Sequence, residues 1–254
     1  MFTRVTGLFI LHFSRILGAI SVEPDIMILK VNETETITVT VSPSNATDKR
    51  VTSSSSDNNI ATIDENGKVT ALAGGKATIT VTSVAYNSKK ATVNVVVGDI
   101  LIPATFADDP TLGTIQNEID KADEESTIVV MPAAYPKTYN EQLVINKSLT
   151  LLGLNTALNG TITITADNVT VDGFNVVAPS DYTLPVIHII DSDGVNIINN
   201  TVFSQGYASI GTSSGPARVT GKISGNKVTG MIIVGTDGEL EVSDNDVTLT
   251  PTST

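Results

Sequence analysis

The chain has no cysteine and no tryptophan. The first absence removes disulfides, thiolate metal ligands and thiol nucleophiles together. The second, with aromatics at only 4%, leaves little for a sugar-binding platform of stacked rings. Charged residues are scarce as well, at 17% against the roughly 25% of ordinary globular domains. Their balance is one-sided: 15 Lys and Arg against 27 Asp and Glu give a net charge of −12. That argues against nucleic acid as a partner, because phosphate contacts need clustered cations. An acidic surface instead keeps an exposed β-rich protein soluble. What fills the chain is Thr, Val, Ile, Asn and Gly, which are strand formers and turn formers. The 254 residues accommodate two modest domains or one large all-β domain.

Residues 5–13 form an apolar stretch behind Arg4, interrupted soon after by Arg15, and too short for a membrane span. Two readings of residues 1–19 stay open. One is a signal peptide, with Ala19-Ile20-Ser21 as its cleavage site. The other is an arm that is kept and docks onto a larger assembly.

From residue 20 to 98 the apolar residues alternate with period two between turn signals. Residues 31–41 read as a strand with Ile37, Val39 and Val41 on one face and Thr36, Thr38 and Thr40 on the other. Pro43-Ser44-Asn45 ends it. Ile60-Ala61-Thr62-Ile63 and Val69-Thr70-Ala71-Leu72 flank Asp64-Glu65-Asn66-Gly67, a hairpin turn with Gly where positive φ is needed. Residues 77–81 and 91–97 add two more alternating strands. Short strands at this spacing indicate a β-sandwich. The segments 41–47, 54–57 and 60–81 resemble the bacterial immunoglobulin-like group 2 family. The resemblance departs at Ser53, where the family usually has a core Trp, so the packing there differs. It implies a spacer or binding module of bacterial surface proteins, adhesins or phage virions, without catalysis.

Residues 99–254 read differently. Ile115, Ile119 and Ala122 have helical spacing, which predicts one short amphipathic helix in a β chain. Residues 127–132 and 142–153 return to strand. Five later segments align on one apolar position: Leu151, Val171, Ile197, Ile223 and Val242, spaced 20, 26, 26 and 19 residues apart. An apolar strand followed by a Gly/Asn corner, repeated near every twenty residues, fits about five coils of a parallel β-helix. A tight bend in each coil needs residues that tolerate left-handed φ, which Asn does. Asn200, Asn226 and Asn245 share a register and are expected to stack as a structural amide ladder. Leu154 and Phe174 are expected to hold that register in the earlier coils. The opening, residues 114–120, 127–130 and 145–153, resembles pectin-lyase-like proteins, which implies a right-handed β-helix with a capping helix. The fold expected is all-β: a sandwich over 20–98 and a short β-helix over 99–254.

Enzymes resembling this second module act on acidic polysaccharides with Arg or Lys near the abstracted proton and often Ca²⁺ on clustered Asp. Here Arg218 and His188 are the candidate binding residues, and no Asp pair repeats beside them. His188 sits inside Val186-Ile187-His188-Ile189-Ile190, which reads as an ordinary strand. Asp191-Ser192-Asp193-Gly194 and Asp244-Asn245-Asp246 offer oxygen ligands for weak Ca²⁺ binding without full loop spacing. No cofactor or catalytic residue is expected. Asn-x-Thr/Ser triplets at Asn32, Asn45, Asn146, Asn159, Asn168 and Asn199 matter only in a glycosylating host.

The function expected is that of a non-enzymatic extracellular protein that decorates or attaches a bacterial envelope or a phage virion, with host-surface glycan as a possible ligand. Its partner is expected at the open C-terminal end of the β-helix, by self-association or a second chain, and at the N-terminal arm. The alternative is a polysaccharide-active or carbohydrate-binding β-helix.

Overall fold

The structure is a computed structural model. It describes residues 16–107, 109, 113–134, 137–179, 182–204, 208–213, 218–235 and 239–249. Of the segment read as a signal peptide or docking arm, residues 1–19, residues 1–15 lie outside them. The chain divides into two compact units, one built from residues up to Val95 and one mainly from Val96 onward.

The first unit is a set of β-strands in small sheets. One sheet runs in the order Ile26–Lys30, Lys90–Gly98, Gly75–Ser83, Val51–Ser55, and a second in the order Thr34–Thr36, Lys68–Ala71, Ala61–Ile63. Ala19–Glu23 pairs with Thr38–Ser42. The residues read as a cleavage site therefore lie at the start of a paired strand, and Leu17 just before them is buried. Alternation sets the core: Ala77, Ile79 and Val81 point inward while Thr78, Thr80 and Thr82 stay half-exposed. Residues 31–41 do not form one strand. The chain changes sheets at the buried Ile37, whose N–H donates to the Gly67 carbonyl at 2.9 Å. Gly67 has φ +79°, and a Cβ there would press on the Ile37 carbonyl at 3.1 Å. Ser53 pairs with the fully buried Val81, so its side chain faces inward, yet it remains exposed. Val51–Ser55 is the edge strand of its sheet, which leaves this serine in contact with solvent while Val81 stays fully buried.

The second unit is a β-solenoid of parallel strands. Its first face stacks Ile100–Ile102, Ser126–Val130, Leu149–Asn159, Thr170–Val177, Val195–Ile198, Gly221–Ser224 and Leu240–Ser243. Ile100, Ile128, Leu151, Val171, Ile197, Ile223 and Val242 stand in one column of that face. The alignment of five segments was thus the true register, and two rungs precede it. Beyond the corner, Thr201–Phe203, Lys227–Thr229 and Asp246–Thr248 continue the last three rungs. A second face stacks Gln142–Ile145, Thr161–Ile164, Ile187–Ile189, Ile210–Thr212 and Ile232–Ile233. Its inward column is Leu143, Ile162, Ile187, Ile210 and Ile232. The solenoid core is filled by these aliphatic columns with Phe174 and Tyr139.

Residues 142–153 are two strands, not one, because Asn146, Lys147 and Ser148 turn the corner between the faces. The register of Phe174 is held by Thr156 and not by Leu154: the chain bulges between Leu152 and Thr156, which adds two residues before the register resumes. Left-handed φ also falls one residue earlier than expected. Gly173, Asn199, Gly225 and Asp244 take it, each preceding its ladder-position residue.

The helix Ile115–Lys121 closes the start of the solenoid, with Ile115, Ile119 and Ala122 joined to the core. Thr114 caps it by accepting from the Asn117 N–H at 3.0 Å. Glu141 accepts the Ile115 and Gln116 N–H groups at 2.9 and 3.0 Å. The Gln116 carboxamide then stands in for a missing neighbour strand: its Oε1 accepts from Val144 N at 2.7 Å and its Nε2 donates to Val144 O at 3.1 Å.

Candidate functional site

Three places in the solenoid gather polar chemistry: the Asn column, an outer cleft and the last rung. In the column, Asn200 and Asn226 are almost fully buried. Asn200 Oδ1 accepts from the Phe174 N–H, Asn226 Oδ1 from the Asn200 N–H, and Asn245 Oδ1 from the Asn226 N–H, at 2.9, 2.9 and 3.0 Å. Each carboxamide donates in turn to the preceding rung: Asn200 to Val171 O, Asn226 to Ile197 O and Asn245 to Ile223 O, at 2.9, 2.8 and 2.9 Å. Buried amides pay their desolvation only when both ends are bonded, and here both are. The column is structural, and it has a direction: each rung's backbone N–H is accepted by the next rung's Asn.

The cleft lies on the outside of the second face. It has a volume of about 490 Å³, and Thr183, Leu184, Pro185, His188, Thr212 and Ser213 line it. His188 stands in a column with Thr163, Gly211 and Ile233. Because Gly211 has no side chain, the loop at Pro185 comes close over it; a Cβ would sit 2.8 Å from Pro185 Cγ. His188 is nearly buried and its Nε2 lies 3.1 Å from Ser213 Oγ. Burial pushes its pKa below the ordinary 6.5, so it is neutral at neutral pH. Sequence reasoning found His188 but missed Ser213, Thr212 and Gly211, which carry no motif and meet His188 only through the stacking of rungs. His188 is the one ionisable residue among the described cleft-lining residues.

Arg218 is elsewhere. Its guanidinium is exposed and pairs with Asp193 Oδ1 at 3.5 Å. It is not part of the cleft lining, so the structure does not bring the two candidate binding residues together. Asp193 belongs to a corner in which Thr220 Oγ1 donates to its Oδ1 at 3.1 Å and Asp167 Oδ1 accepts its N–H at 2.7 Å. These carboxylates hold the corner. Among the described residues no group of three or more His, Asp or Glu side chains gathers as a metal site.

The last rung differs from those before it. Val242 occupies the column of the fully buried Ile223, and Val247 that of the fully buried Val228, yet each is 44% exposed. Among the described residues, Leu240–Ser243 and Asp246–Thr248 each pair on one side alone. A shallow hollow of about 410 Å³ there is lined by Met231, Ile232, Val242, Asp244, Asn245 and Val247, among others.

Residues 17–99 match the family model of the bacterial Ig-like domain, group 2. An uncharacterized protein of Clostridium acetobutylicum is 58% identical over 52 residues, which are 20% of this chain and 5% of that protein. A second uncharacterized protein of the same species is 38% identical over 94 residues, 37% of this chain and 24% of its own length. A 3-O-alpha-D-galactosyl-alpha-L-arabinofuranosidase of Bifidobacterium longum is 44% identical over 71 residues, 28% of this chain and 6% of the enzyme. The matches therefore span at most 24% of the length of these relatives. Among the described residues no helix is long and apolar enough to cross a membrane. The chain carries a bacterial Ig-like domain of group 2 at residues 17–99, followed by a parallel β-helix.

Proposed function

We propose that this chain is a non-enzymatic surface protein that attaches to or decorates a large assembly, a bacterial envelope or a phage virion. The observation that carries the reading is the match of residues 17–99 to the bacterial Ig-like domain, group 2, in a chain that continues as a parallel β-helix. The Ig-like domain fits a spacer in such a protein. Sizing the protein in extracts of its native source tests the reading. Elution with an assembly many times its own mass is expected; elution as a bare monomer overturns it.

A second reading is carbohydrate binding or turnover in the cleft. It is favoured by the concave outer face with its neutral His188 and the hydroxyl of Ser213. The arabinofuranosidase relative bears on it weakly, since the shared 71 residues are 6% of that enzyme. An assay on acidic polysaccharides with Ca²⁺, with Arg218→Ala and His188→Ala in parallel, separates the two readings. No product is expected from any of the three. Unsaturated product that disappears in either variant would establish the second reading.

A further inference from the structure

We propose that one end of the Ig-like domain binds a flexible anionic polymer of the bacterial envelope that carries a phosphodiester in each repeat. The inference rests on the attachment reading above and supplies its chemistry. The chain as a whole is acidic, with a net charge of −12, yet four of its 15 Lys and Arg lie in two dipeptides, Lys49-Arg50 and Lys89-Lys90. The fold brings these together. The Val84 N–H donates to the Arg50 carbonyl and the Ser83 N–H to the Lys89 carbonyl, each at 3.0 Å. Both dipeptides therefore flank the turn that joins Gly75–Ser83 to Lys90–Gly98.

Alternation decides which side chains share a face. Ile79, Val81 and Ser83 are buried, and Ser83 pairs with Val51; the next residues along, Val84 and Arg50, are exposed. Lys90 is out of phase with the buried Val93 and Val95 and is exposed as well. Two strand spacings and a two-residue offset put the Cα atoms of Arg50 and Lys90 about 12 Å apart. Arg50 is already engaged: its Nε and Nη2 donate to the two carboxylate oxygens of Asp48 at 3.0 and 2.7 Å. Among the described residues no ion pair engages Lys49, Lys89 or Lys90. Crowded, unpaired cations repel one another, and a bound anion relieves that repulsion.

The chemistry of the end selects the anion. A lysine ammonium is a compact point charge suited to phosphate, whereas carboxylates are best held by the fork of an arginine, and here that fork is taken. Val84 and Tyr86, both exposed beside the lysines, offer an apolar surface to the carbon skeleton of each repeat. The acidic remainder of the chain repels a stiff polyanion laid across it, so a flexible polymer that reaches this end alone is favoured over a nucleic-acid duplex.

Calorimetric titration of the full chain with short poly(glycerol phosphate) tests the proposal. Binding is expected at low salt, with a log–log salt slope of about −2 from three lysines. The triple variant Lys49→Gln, Lys89→Gln, Lys90→Gln is expected to bind about tenfold or more weaker, with a flatter slope. Lys68→Gln, Lys222→Gln and Lys227→Gln together make the same charge change elsewhere and are expected to keep the affinity within about twofold. Both variants are expected to keep the wild-type urea midpoint, so that lost binding reports the lysines. No binding by the wild type, or equal losses in the two triple variants, would overturn the proposal. Tighter binding of polyglutamate, or of single-stranded DNA with the same number of charges, would overturn the choice of polymer. The attachment reading falls separately, on elution of the protein from its source as a bare monomer.

Discussion

The β-helix begins and ends differently. At its start, Ile115 and Ile119 plug the core, and the Gln116 carboxamide pairs with the backbone of Val144 as a strand would. At its last described rung the same stack presents Val242, Val247 and Leu249 to solvent. A parallel solenoid buries its columns only where a neighbour stands on both sides, so each end must be closed by something other than the repeat. This chain spends a helix and three polar side chains, Thr114, Gln116 and Glu141, on one end. The last described rung instead carries Glu241, Asp244 and Asp246 around Asn245.

The largest expected effect breaks the column in its interior. Asn226→Ala removes the acceptor of the Asn200 N–H and the donor to Ile197 O, both in a site with no water access. Leaving such groups unpaired costs about 1–3 kcal/mol each, so a loss of about 3–5 kcal/mol in β-helix stability is expected. The equivalent Asn245→Ala in the last described rung costs about 1 kcal/mol, because Asn245 is only partly buried and water can take the place of its carboxamide. Urea unfolding of both variants measures the difference, and similar losses would mean that the end is sealed.

The apolar plug gives a second, smaller contrast. Ile119→Ala empties a fully buried position at the closed end, which costs about 2–4 kcal/mol. Val242→Ala acts on a side chain that is already 44% exposed and costs below about 1 kcal/mol. Denaturation midpoints of the two variants check it.

The smallest effect belongs to the cleft. Burial holds the folded-state pKa of His188 below its ordinary 6.5. The unfolded chain therefore takes up a proton first as pH falls through that value, and stability declines below it and is fully present above it. His188→Asn is expected to flatten this slope, by under about 1 kcal/mol between roughly pH 7.5 and 5. Thermal melts across that range test it, and identical slopes in both proteins would remove the linkage.

Much of the solenoid was readable because its inward column is apolar at a fixed register, from Leu151 to Val242. The rung at Ile100 escaped because a helix and its loops separate it from the next and stretch the spacing, whereas the strand at Ile128 was read but not aligned with the later five. Thr156 escaped because the bulge after Leu152 moves it two residues out of phase. The second face left no clear period, since Ile187–Ile189 sits in a continuous apolar run and buries all three of its residues. The cleft was legible only at His188. Its other walls are hydroxyls, a proline and aliphatic residues such as Leu184 and Ile233, types that take on meaning only when rungs stack. In the sandwich, Ser53 stood out as a departure, and the structure places it on an edge strand, exposed beside the fully buried Val81.

Amide hydrogen exchange across the last two described rungs tests the contrast between the two ends most directly. Residues 240–248 should exchange about a hundredfold faster than residues 221–229 in the isolated protein. Equal protection of the two rungs in the isolated protein would contradict the account.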